Sequence, residues 1–209
     1  MTNTDRDGIA QRAAAVLQAA VRDRGRIEGS LLKVDDFLNH RVEPHLMDEA
    51  GRGLAAVAGE PDLVLTAEAS GIPPALAASR HLGVPMVYAK KYPRGESSRP
   101  AHMRHVSSPT KGEEYRIEVA ERVLPPGSKV GIVDDFLSRG RTAEALGEIV
   151  EEAGSEVTAM CFVIEKAFVN GRSRLERHGW PVISLVVIEA MGADGVTFAP
   201  WHGVAATQG

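Results

Sequence analysis

Apolar and polar positions follow two rhythms along this chain. Ile9, Ala13, Val16, Leu17 and Ala20 recur at three- and four-residue steps, the period of one helix face. Gly25 and Gly29 break that rhythm, and a short apolar stretch from Leu31 to Val34 leads into Asp35-Asp36-Phe37-Leu38-Asn39-His40. A second helix is predicted from Pro44, a residue tolerated in a first turn, with Leu46, Ala50, Leu54 and Val57 as its stripe. The second rhythm is the short apolar run. Residues 62–66 and 157–164 read as buried strands and 84–89, 129–133 and 182–188 as further strands, and helices are predicted over 73–82, 142–153 and 171–178. Residues 114–119 alternate like a strand with one buried face, and 196–198 suggest an edge strand.

Strand and helix therefore alternate, and the strands are apolar on consecutive residues. That pattern predicts an α/β fold, a mostly parallel sheet with helices on both faces. Residues 1–60 are expected to supply N-terminal helices and a small hood, and 61–209 the α/β core. Residues 90–114 contain Pro, Gly and Ser in no clear period and are expected to form a long flexible loop of the kind that covers active sites. Thr142 is expected to cap the helix that it opens.

Composition narrows the function classes. The chain has 209 residues, 44% apolar and 25% charged, enough apolar side chain to build a core. No apolar run approaches a bilayer span, and MTNTDRDGIA carries no signal core. The single cysteine, Cys161, rules out an intrachain disulfide and a Cys-rich zinc site, and its apolar surroundings mark it as a buried small hydrophobe. These features point to the cytoplasm. The seven histidines form no HExxH pattern, and no GxGxxG, Walker or GxSxG motif is present. The net charge of −4 gives no support for a nucleic-acid binder. That charge is uneven, however. Residues 90–112 hold six Lys and Arg against Glu96 alone, a net +5 that leaves −9 on the remainder.

The strongest local feature is Val130-Gly131-Ile132-Val133-Asp134-Asp135-Phe136-Leu137-Ser138-Arg139-Gly140-Arg141-Thr142. An apolar strand ends in two carboxylates, and a short loop then enters a helix. Ligands of open α/β sheets bind at the carboxyl ends of strands. A helix N-terminus offers unpaired N–H groups and a positive dipole end to a phosphate. Gly140 allows close backbone approach, and Ser138 and Thr142 supply hydroxyls. The acids suit a sugar diol or a hydrated Mg²⁺, but strand-end acids also cap ordinary turns.

This stretch resembles the signature of the type I phosphoribosyltransferases, which bind 5-phosphoribosyl diphosphate. LLKVDDFLNH, LTAEASGIPPALAASRHLGVPMVYAKK, VGIVDDFLSRGRTAEAL and VIEKAFVNGR extend the likeness, in order, from about Leu31 to Ala190, and are similar to the bacterial xanthine phosphoribosyltransferases. The resemblance implies the family fold with its hood, and a transferase of purine salvage acting on xanthine and 5-phosphoribosyl diphosphate. Guanine, hypoxanthine or a modified purine is the neighbouring choice of base. A purine-sensing regulator on the same fold is the rival of another class. Those regulators usually carry an added basic domain, whereas residues 1–30 hold five Arg against four acids.

By the same resemblance, Asp134 and Asp135 are the catalytic pair, holding the ribose. Glu68, Ala69, Ser70 and Gly71 form a diphosphate loop, often with a non-proline cis peptide, and Lys91 contacts the diphosphate. Ser138, Arg139, Gly140, Arg141 and Thr142 cup the 5′-phosphate, although arginines at 139 and 141 replace small or neutral residues of the family. Leu32, Asn39, Lys166 and Phe168 meet the purine. From the residues alone, Ser70 is equally a helix cap, Asn39 a cap, Lys166 a surface lysine and Phe168 core packing. The basic segment becomes the family's lid, its charge steering an anionic substrate. Mg²⁺ is the implied cofactor, and a homodimer the implied assembly.

Overall fold

The computed structural model describes residues 2–97, 99–107, 114–192 and 195–201. Helix α1 (Asn3–Arg24) begins at Thr2 with a capping box, in which Thr2 Oγ1 accepts from the Asp5 N–H and Asp5 accepts from the Thr2 N–H. It stops at Gly25, whose N–H closes the last turn on the Val21 carbonyl. Strands β1 (Arg26–Glu28) and β2 (Leu31–Lys33) form a hairpin across Gly29, where φ is +60°. A single π-helical turn, Asp35–Asn39, buries Phe37 and Leu38. Arg24 donates to both carboxylate oxygens of Glu43 at 2.9 Å and lies over the Phe37 ring, which fastens this hood to α1. Helix α2 (Pro44–Val57) starts at the predicted proline.

The rest alternates as the sequence pattern requires: β3 (Leu63–Ala67), α3 (Ile72–Leu82), β4 (Met86–Pro93), β5 (Ala101–Ser107), β6 (Glu114–Ala120), β7 (Lys129–Leu137), α4 (Arg141–Glu152), β8 (Glu156–Lys166), α5 (Gly171–Glu176), β9 (Val182–Gly192) and β10 (Gly195–Phe198). Strands β3 to β10 make one sheet in the order β10-β9-β8-β7-β3-β4-β6-β5. The five central strands are parallel, and β10, β6 and β5 run antiparallel at the margins.

Consecutive apolar residues within a strand serve opposite faces. Val133, Cys161, Val163 and Leu185 pack with Leu17, Phe37 and Leu54 under α1 to α3. Ile132, Met160 and Phe162 pack with Leu146, Ile149 and Trp180 under α4 and α5. Cys161 is fully buried, as expected, and burial pushes its thiol up to about 12. Residues 1–60 thus supply one layer of the core as well as the hood.

Two expectations need correction. Residues 90–114 are not a featureless loop. Strand β4 continues to Pro93, and β5 pairs with β6 along its whole length. Local pattern hides β5 because its apolar residues are few. Pairing with β6 and docking on α4 make it a strand, with Arg104 donating to Glu148 at 2.9 Å and also bonding Glu152. Residues 108–113 and Ser98 of the expected loop lie outside the described residues. Thr142 is not a cap either. The N-cap of α4 is Gly140 in the left-handed conformation, φ +72°.

Candidate active site

β7 and β3 are neighbours at the point where the strand order turns back, so the ends of these strands open on one crevice. Asp134 and Asp135 lie within the last part of β7, which runs on past them through Phe136 and Leu137 instead of ending at the pair, and residues 68–71 cross from β3 to α3 beside them. The two carboxylates meet different surroundings. Asp135 is buried, and both of its oxygens are engaged. Ser70 Oγ donates to Oδ1 at 3.0 Å, and Asn39 Nδ2 donates to Oδ2 at 2.8 Å. Asp134 accepts the Asp135 N–H at 2.9 Å. Its carboxyl is held well above the ordinary carboxylate range, first by burial and then by the adjacent Asp135 charge, with Lys91 opposing.

The 68–71 loop is fixed at both ends. The Glu68–Ala69 peptide is cis. The Glu68 carboxylate accepts the Lys91 N–H at 2.6 Å, tying the loop to β4. A Cβ on residue 71 would lie 2.2 Å from Thr66 Oγ1 and 2.5 Å from Asp134 Oδ1, so only glycine fits there. Ser70 is not the cap of α3. That position is Gly71, and the Ser70 hydroxyl serves Asp135 instead.

At the start of α4, residues 138–142 line a cleft of about 270 Å³ with Asp134, Phe136, Ser107 and Tyr115. Ser138 is half-buried and Arg139 exposed. Arg141 turns to β5 and donates to the Ser107 carbonyl and hydroxyl at 3.1 and 2.8 Å. Thr142 Oγ1 and Tyr115 Oη lie 3.1 Å apart, and Lys91 Nζ sits 5.5 Å from the Tyr115 ring centre. Three arginines of the basic segment are paired within the protein. Arg94 meets Glu114 at 2.5 Å, Arg99 meets Glu118 at 3.5 Å, and Arg104 meets Glu148 and Glu152. Lys111 lies outside the described residues. The steering charge expected of this island is therefore much reduced, leaving Lys90 and Lys91 exposed.

The hood side carries the base-facing candidates. Lys166 is buried, and its Nζ donates to the Ser30 carbonyl at 3.3 Å and lies 5.8 Å from the Phe136 ring centre. Burial lowers its pKa. Leu32 is buried in the core beneath the hood, whereas Phe168 is 47% exposed. Phe168 is therefore not core packing, and the aromatic ring that lies near Lys166 and also lines the cleft is Phe136. Phe136 and Tyr115 escaped the sequence reading. Phe136 directly follows the acid pair, so period-2 alternation from Asp134 was the signal that placed it on the site's face.

Among the described residues no group of three or more His, Cys, Asp or Glu side chains could cage a metal ion. The donor set that exists is the acid pair. A carboxylate pair suits a magnesium ion that keeps most of its ligands as water.

The phosphoribosyl transferase domain family matches residues 35–189. A xanthine phosphoribosyltransferase of Chloroflexus aurantiacus is 46% identical over 175 residues, 82% of each chain. One from Laribacter hongkongensis is 42% identical, over 87% of this chain and 98% of its own. Among solved structures, the adenine phosphoribosyltransferase of Saccharomyces cerevisiae, complexed with an imino-altritol bisphosphate and adenine, superposes with a TM-score of 0.69. It is 25% identical, over 83% of this chain and 98% of that one. The adenine phosphoribosyltransferase of Rhodothermus marinus gives a TM-score of 0.67 at 25% identity, over 84% and 98% of the two chains. The matched segment contains the acid pair, both glycine-bearing loops and the strand that ends in Lys166, and this chain belongs to the phosphoribosyltransferase family.

Proposed function

We propose that the protein transfers the phosphoribosyl group of 5-phosphoribosyl diphosphate to xanthine, forming xanthosine 5′-phosphate and diphosphate in purine salvage. The observation that carries this reading is the meeting at Asp135 of the hood, through Asn39, and the diphosphate loop, through Ser70. Base, ribose and leaving group would converge on one carboxylate. The 138–142 loop anchors the 5′-phosphate, and that remote binding orients C1′. Residues 68–71 and Lys91 receive the leaving diphosphate, which carries Mg²⁺. Asp134 and Asp135 hold the ribose, and Asp135 places negative charge near the developing oxocarbenium-like cation.

Two features favour an oxopurine. The relatives above are named for xanthine. Lys166 also presents a desolvated N–H donor, which pairs with an exocyclic oxygen of the base and finds no acceptor in an amino group. Leu32, Asn39 and Phe168 complete the base pocket in this reading. Arg139 and the backbone at Gly140 face the 5′-phosphate, while Arg141 acts through Ser107. The homodimer and the cytoplasmic location implied by the resemblance belong to the same proposal. No helix among the described residues is long and apolar enough to cross a membrane.

The test is direct. The protein is incubated with Mg²⁺, 5-phosphoribosyl diphosphate and xanthine, guanine, hypoxanthine or adenine in turn, and each nucleotide is measured. Xanthosine 5′-phosphate should form fastest. Guanosine 5′-phosphate in its place would remove the choice of base, and no nucleotide from any base would leave the regulator reading. Lys166→Ala should raise the KM for xanthine about tenfold, the scale of one hydrogen bond to a charged group, and leave the KM for the sugar diphosphate unchanged.

A further inference from the structure

Glu165 is a buried carboxylate, 1% exposed, immediately before Lys166, and none of the roles above uses it. Its partners are complete. Arg172, in the first turn of α5, donates from Nε to Oε1 at 3.0 Å and from Nη2 to Oε2 at 2.6 Å. Ser184 Oγ adds a bond to Oε2 at 2.6 Å. The third guanidinium nitrogen of Arg172 donates to the Val182 carbonyl at 2.6 Å, so one side chain joins α5, the end of β8 and the start of β9. Neither Arg172 nor Glu165 lines the phosphate cleft.

Successive side chains of a strand point to opposite faces. With Glu165 fixed on the α5 face, Lys166 is committed to the hood face, where the Ser30 carbonyl accepts from it. The same helix is pressed against the phosphate loop. A Cβ on Gly171 would lie 2.0 Å from the Ser138 carbonyl oxygen, and one on Gly140 would lie 3.0 Å from the Gly171 carbonyl oxygen. α5 therefore backs the 138–142 loop at one side and the strand end bearing Lys166 at the other.

We propose that Arg172 is a positioning residue for both ends of the reaction. Through its pair with Glu165 it holds Lys166 toward the base and, through α5, holds residues 138–140 in shape for the 5′-phosphate. This rests on the phosphoribosyl transfer assigned to the site above. The informative variant is Arg172→Lys, which keeps the charge but loses the two-pronged fork. Removing either partner outright leaves a buried charge unpaired and endangers folding.

Steady-state kinetics with both substrates decide the matter, with Lys166→Ala run alongside. Arg172→Lys should raise the KM for xanthine and the KM for 5-phosphoribosyl diphosphate together, each about tenfold, the scale of one lost charge-assisted hydrogen bond. Lys166→Ala moves the xanthine value alone. A lower kcat with both KM values unchanged would show that the pair only stabilises the fold, and would overturn the proposal. If Arg172→Lys does not fold, Glu165→Gln is measured in its place, with the same paired shift expected and the same outcome overturning it. If the wild-type protein makes no nucleotide, the functional reading fails, and calorimetry of 5-phosphoribosyl diphosphate with Mg²⁺ decides this one. Binding about tenfold weaker in the variant supports it, and equal binding ends it.

Discussion

At the residue scale, two adjacent acids meet different partners. Asp135 receives two side-chain donors, from Asn39 and Ser70. Asp134 is pushed up by burial and by its neighbour's charge, so the folded protein holds that proton to a higher pH than the unfolded chain does. Between the ordinary value of 3.8 and the raised one, the native state binds more protons. Stability therefore declines as pH rises through that window. Asp134→Asn removes the titration, and its melting temperature should fall less than the wild type's as pH rises above the ordinary carboxyl value of 3.8. An equally steep fall in the variant would contradict the assignment. The same variant should lose about a hundredfold or more in kcat/KM, the scale of one electrostatic contact to a transition state. The pair itself was legible because it is contiguous and follows an apolar run. Its bonds were not, because Asn39 and Ser70 are brought to Asp135 by separate elements whose contact no local pattern encodes.

At the element scale, the parallel strands were readable, since burial on both faces leaves continuous apolar runs. β5 was not. Ala101, Met103 and Val106 alternate with His102, Arg104 and His105, too weak a signal without β6 beside it. Ion pairs of Arg104 with Glu148 and Glu152 tie β5 to α4, beside buried Val106 and with Arg141 on Ser107 nearer the cleft, where Tyr115 of β6 meets Thr142. Such part-exposed pairs contribute little to global stability, so Arg104→Ala should cost only about 0.5–1 kcal/mol in a denaturation curve. Hydrogen exchange should show the larger effect, with faster exchange of the β5 amides and no change in β7 or β8. Protection lost equally across the sheet would mean that β5 is no separate unit.

At the scale of the whole molecule, the chain folds around one sheet with a core on each face, and the site lies at its rim, where the strand order turns back. The −4 net charge conceals pairing that only the fold reveals. Arg94, Arg99 and Arg104 read as an unopposed basic island along the sequence, yet each finds a carboxylate across the hairpin or on α4. Lys90 and Lys91 stay exposed. The proposed homodimer belongs to this scale too. Light scattering should give about twice the chain mass of 22.4 kDa, and a value near a single chain would remove that part of the reading.

Gly71 and Gly171 each stand where one added carbon would strike a neighbouring group, and both lie against the loops assigned to phosphate. The hood, by contrast, is a separate stretch of chain, held to α1 through Arg24 and to β7 through the Asn39–Asp135 bond. Under the proposed function, the fold would leave the choice of base to exposed hood positions of residues 26–43, while Gly71 and Gly171, beside the loops assigned to phosphate, admit no side chain. A new base preference would be sought first in the hood.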